Sequence, residues 1–116
     1  MGEPVDKEAA PQDYEQRLEA LRRRYLAALP ALRDELAQAW RGCAGGPDSE
    51  AWQRLRDLSH RLSGSAPCYG LDSVGEPARQ LDKLLSGRAA CRDHAVAAPL
   101  AQRLLAALDQ AIASNV

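Results

Sequence analysis

AWQRLRDLSHRLSGSA, residues 51–66, is the stretch whose reading decides the fold. At about 100° per residue, Ala51, Trp52, Leu55, Leu58, Ser59, Leu62 and Ala66 fall within about 60° of the Leu55 direction. That is one clean apolar stripe, so the segment is an amphipathic helix with a buried face. His60 lies at about 140° on the same wheel, off the stripe, and Gly64 at about 180°, one turn further along the exposed side. A glycine inside a helix costs roughly 1 kcal/mol relative to alanine and therefore asks for a reason. Access is the reason at hand: with no side chain at i+4, a second surface can come close to the imidazole.

Outward from this helix, the same period recurs. Gly42, Gly45, Gly46 and Pro47 mark a turn before it, with Asp48 or Ser49 as its cap. Before that turn, Asp13 can cap a first helix carrying Tyr14, Leu18, Leu21 and Tyr25. Pro30 is predicted to break or kink it near Leu29, with a separate helix through Leu32, Leu36 and Trp40. Pro67–Gly70 is a four-residue break. A helix starting at Asp72 or Ser73 then carries Val74, Ala78, Leu81 and Leu85, with Pro77 costing about one backbone hydrogen bond. A loop over 86–93 precedes a last helix over about 95–112. Met1–Gln12, with two prolines and no period, reads as a flexible segment ahead of one domain over 13–116. The expected fold is all-α: an up-and-down antiparallel four-helix bundle with an additional N-terminal helix.

Composition excludes several classes. The chain has 116 residues, enough for one core, and 46% of them are apolar with no Phe at all. Lys and Arg number 15 against 16 Asp and Glu, for a net charge of −1. Residues 1–16 hold five acids and one base, which leaves 14 bases and 11 acids, a mild +3, on the remainder. A nucleic-acid partner is not expected at that charge. No apolar run approaches the ~18 residues that span a bilayer, and Met1–Gln16 lacks the apolar core of a signal peptide. Cys43, Cys68 and Cys91 form no C-x-x-C pair, so reduced thiols in a cytoplasmic protein are expected, with no metal site. Asp57 and His60 form a D-x-x-H pair, but both lie off the core stripe, where a bundle di-metal site does not form. No P-loop or glycine-rich nucleotide motif is present, so ATP-dependent kinase activity is not expected.

The string His60-Arg61-Leu62-Ser63-Gly64-Ser65-Ala66, followed by Gly70-Leu71, resembles the H-x-L-K-G-S-A-x-x-x-G signature of histidine-containing phosphotransfer (HPt) domains. The Tyr25–Leu32 segment before it and Ala78-Arg79-Gln80-Leu81-Asp82 after it are similar to the flanking pattern, over roughly three-fifths of the chain. The resemblance implies a carrier in a two-component phosphorelay. His60 would accept a phosphoryl group from a receiver aspartate, on Nε2, and pass it to another receiver. Gly64 would give clearance, and Gly70 would set the hairpin turn. Partners would be response-regulator receiver domains or hybrid sensor kinases. The chain would carry no cofactor, with Mg²⁺ on the receiver.

One departure bears on mechanism. Where the family commonly has Lys three residues after the His, this chain has Ser63, which supplies no charge. Arg56, one turn before His60, is the nearest cationic candidate, followed by Arg79 and Lys83 on the facing helix. Asp82 matches a position near the His ring and would accept from Nδ1–H, leaving Nε2 as nucleophile. The alternative is a helical adaptor, a degenerate HPt-like bundle that docks on receivers without transfer. A monomer is expected, since one His face per bundle suffices.

Overall fold

The structure, a computed structural model, describes the backbone of residues 3–115 and the side chains of residues 13–115. Helix α1 spans Glu3–Gly42, α2 spans Ala51–Ser65, α3 spans Asp72–Leu85 and α4 spans His94–Ser114. Single 3₁₀ turns, Cys43–Gly45 and Ala66–Tyr69, follow α1 and α2, and the described residues contain no strand. Consecutive helices pack on each other, and α4 also packs on α1. The core between them is built from Leu29, Leu36, Trp52, Leu55, Leu62, Val74, Leu81, Leu104 and Leu108, all essentially inaccessible to water. Alanines at 78, 97 and 101, fully buried, let the helix axes close up without aromatic filler.

Two expectations about α1 need correction. The expected break at Pro30 does not occur, and the helix runs through it. A mid-helix proline forfeits one hydrogen bond and costs ~3 kcal/mol or more. Here Pro30 is exposed, so water can hydrate the carbonyl it leaves free, while buried Leu29 and Leu36 hold both sides of it on the core. The additional N-terminal helix and the first bundle helix are therefore one element. Nor does the helix begin at Asp13: it reaches back to Glu3, over most of the stretch read as a flexible segment, while Met1 and Gly2 lie outside the described residues. At ~1.5 Å per residue, forty residues make a rod about 60 Å long, against about 22 Å for the fifteen of α2. Tyr14, Leu18 and Leu21, on the line that becomes the core further along, are consequently exposed.

The connections are held by side chains. The Trp52 indole N–H donates to the Gly46 carbonyl at 3.0 Å, and Ser49 accepts the Ala51 N–H at 3.2 Å. Asp93 caps α4 by accepting from the N–H groups of Ala95 and Val96. Arg33 on α1 is paired with Asp109 on α4 at 2.8 Å. Cys43 is buried, and that burial pushes its thiol up to about 11, which leaves it an inert core residue.

Buried and exposed side chains should separate sharply in urea unfolding. Leu81→Ala, at a fully buried site, is expected to cost about 2–5 kcal/mol. Tyr14→Ala, 63% exposed on α1, should change stability by less than about 0.5 kcal/mol.

Candidate functional site

The α2–α3 hairpin positions the site. Its turn needs a left-handed residue, supplied by Gly70 at φ +78°, whose N–H donates to the Pro67 carbonyl at 3.1 Å. Gly75 serves a different need. A Cβ there would lie 2.7 Å from the Pro67 ring, so only glycine lets that ring seat directly on the first turns of α3. The end of α2 is also tied to α1: the Tyr25 hydroxyl and Ser65 Oγ are 2.7 Å apart, and the Tyr25 and Tyr69 rings stack at 4.4 Å. Partial burial pushes the Tyr25 phenol up, so it stays protonated and able to hydrogen-bond.

With the hairpin so fixed, His60 stands on the outer face of α2 with 69% of its side chain exposed. Its Nδ1 lies 3.1 Å from Oδ2 of Asp82 on α3, a carboxylate that is itself only 20% exposed. The motif match puts Asp82 near the ring, and the structure brings the two side chains into hydrogen-bond range. A carboxylate can only accept, so in the neutral ring this contact favours the tautomer with the proton on Nδ1 and the Nε2 lone pair outward. Nothing lies within 4 Å of the place a Cβ on Gly64 would occupy. The fold itself therefore does not require glycine there, and the space it leaves is on the solvent side.

The cations are arranged otherwise than the sequence suggested. Arg56 turns away from the ring: its Nε donates to Ser86 Oγ at 3.0 Å and its Nη1 to Asp57 at 3.4 Å. Arg79 is held in a two-pronged pair by Glu76, at 2.7 and 3.1 Å. The Arg79 and Gln80 hydrogen bonds bring the Glu76 carboxyl down to about 2, so this pair stays charged at any working pH. Lys83 is exposed and has no hydrogen-bond or ion-pair partner among the described residues. Ser63 spends its hydroxyl on its own helix, donating to the His60 carbonyl at 2.8 Å.

Sequence reasoning missed Ser86, which donates to Asp82 Oδ1 at 3.0 Å from one turn further on. The i, i+4 spacing from Asp82 was the available signal. His94 is exposed but stacks on the Trp40 ring at 4.1 Å. The described residues contain no cluster of three potential metal ligands, and none of their helices is long and apolar enough to cross a membrane.

The site is thus an outward imidazole with a carboxylate at Nδ1 and an open glycine position one turn further along. A family model described as Hpt domain matches residues 20–114. The chain belongs to the Hpt domain family. HPt domains are phosphotransfer modules of phosphorelays, carriers rather than kinases, and they interact with the receiver domains of response regulators and hybrid kinases. No curated protein and no solved structure matches the chain.

Gly64 and Gly75 predict substitutions of opposite sign. Gly64→Ala enters open space and should raise stability by up to about 1 kcal/mol through helix propensity. Gly75→Ala drives the Pro67 ring aside and should lower it by about 1–2 kcal/mol, read as thermal midpoints.

Proposed function

We propose that this HPt domain is an active carrier in which His60 accepts a phosphoryl group from a receiver phospho-aspartate and returns it to another receiver. The single observation that carries this reading is the 3.1 Å contact between His60 Nδ1 and Asp82 on an otherwise exposed ring. An adaptor that only docks has no use for a carboxylate fixing the imidazole tautomer.

The Nε2 lone pair attacks phosphorus in line, the bond from phosphorus to the aspartyl oxygen breaks, and the receiver carboxylate leaves with that electron pair. No proton moves at the attacking atom. The ring becomes a phospho-imidazolium, and its positive charge sits against Asp82 through the Nδ1–H it already held. When an acceptor aspartate attacks phosphorus, the Nε2–P bond breaks and the ring leaves as neutral imidazole still protonated on Nδ1, so the same contact favours onward transfer. Mg²⁺ belongs to the receiver's acidic pocket, and the chain brings no cofactor of its own.

Gly64 gives the receiver its approach. Neutralisation of the phosphoryl oxygens falls to Lys83, which has no partner among the described residues, and to Arg79 once it leaves Glu76. Arg56 and Ser63 are committed elsewhere and do not serve. The working species is a monomer in the cytoplasm, meeting receiver domains through the exposed face around His60 in a small, transient interface.

Incubation with a phosphorylated receiver tests the reading. Acid-labile, base-stable label should appear on the wild type and vanish in His60→Gln. Gly64→Ala should slow transfer while leaving the fold more stable. Receiver binding without any label on the wild type would establish the adaptor instead. Glu76→Gln, which releases Arg79, should lengthen the phosphohistidine half-life by about two- to threefold, modest because the pair is exposed and screened. A half-life equal to the wild type's would remove Arg79 from the site.

A further inference from the structure

Behind Asp82 the hydrogen bonds continue, and their donors fix their direction. Arg56 Nε carries a hydrogen and can only donate, so at 3.0 Å it must donate to Ser86 Oγ. A hydroxyl that accepts on that side has its own hydrogen free for the other, where Asp82 Oδ1 lies at 3.0 Å. A carboxylate that takes the Ser86 hydrogen on Oδ1 offers Oδ2 to the ring, 3.1 Å from His60 Nδ1. The chain therefore reads in one sense only, from Arg56 to Ser86 to Asp82, with His60 donating into its far end.

We infer that Ser86 and Arg56 are positioning residues for His60, acting through Asp82. This deepens the phosphotransfer reading and rests on it for its consequence, although the tautomer it fixes belongs to the resting protein. Arg56 thus works at the opposite end of the site from the one its sequence position suggested. It is a fixed donor that directs the Ser86 hydroxyl rather than a cation for the phosphoryl group. Gln53 and Arg56 both reach Asp57 Oδ1, at 3.0 and 3.4 Å, which holds the guanidinium from its other edge. Ser86 lies where α3 ends, in extended backbone at φ −116° and ψ 160°. Its side chain is therefore placed by the end of the helix, and a β-branched residue fits that backbone without strain.

The arrangement has a chemical consequence. Without Ser86 the Oδ1 lone pairs turn to water and the carboxylate is free to rotate about its Cβ–Cγ bond. Nδ1–H then loses its fixed acceptor, and the neutral ring divides between its two tautomers. The tautomer protonated on Nε2 has no lone pair for phosphorus.

Nitrogen-15 spectroscopy of His60 above neutral pH reads this directly. The wild type should show a protonated Nδ1 and an unprotonated Nε2. Ser86→Ala and Arg56→Met should each move both shifts toward a tautomer average. Both variants should slow phosphoryl acceptance by about tenfold, within the ~100-fold that mispositioning a reacting group can cost. Ser86→Thr, which keeps the hydroxyl, should restore shifts and rate together. Thermal unfolding of each variant checks that the bundle stays folded, since a merely structural role would move the midpoint and not the tautomer. Wild-type shifts in both Ser86→Ala and Arg56→Met would overturn the inference, whatever the rates. A wild type with the fixed tautomer that takes no label would instead sink the phosphotransfer reading and leave this one standing.

Discussion

The Pro67 ring on the bare backbone of Gly75 sets how α2 and α3 lie against each other, and the site depends on that register. Hydrogen-bond geometry tolerates a few tenths of an ångström, whereas sliding one helix past another by a single residue moves side chains by about 1.5 Å along the axis and about 100° around it. His60 on α2 and Asp82 on α3 meet at 3.1 Å only in the register this hairpin allows. Arg56 and Ser86, one turn toward the open end, meet in that same register at 3.0 Å. The left-handed turn at Gly70 and the stacking of Tyr25 on Tyr69 hold the closed end. One close approach thus organises a row of polar contacts along the outer seam of a core made of leucine and alanine.

The charges on this face follow a common logic. Arg56 is engaged by Ser86 and Asp57, and Arg79 by Glu76, so a carboxylate and not a cation is the charged group touching the ring. In the phosphotransfer proposed for His60, that balance would favour release over retention. A cation fixed beside Nε2 would hold the phosphoryl group longer, while a carboxylate at Nδ1 favours the charged phospho-imidazolium that gives it up again.

Much of this was legible in the string of residues. Periodicity alone put Leu55, Leu58 and Leu62 inside and His60 outside, because an amphipathic helix has no other way to bury its stripe. The motif around His60 pointed to the family to which the chain belongs. Where the reading failed, a longer-range force had won. Pro30 looked like a helix end because proline loses a hydrogen bond, a local cost, and the buried leucines on both sides outweighed it. Arg56 looked like the phosphoryl cation because it is one turn from His60, yet its Nε found Ser86, thirty residues away in sequence.

The sequence by itself determined that the chain is helical, which face of α2 is buried, and that His60 is left outside with a gap beside it. These follow from the spacing of apolar side chains and from the two special residues, glycine and proline, which act within a turn of their own position. Only the tertiary structure decided which polar partners that histidine and its neighbours took. A hydrogen bond between two helices depends on their register and separation to within a fraction of a side chain, and those are set by packing contacts such as that between Pro67 and Gly75, not by any local preference.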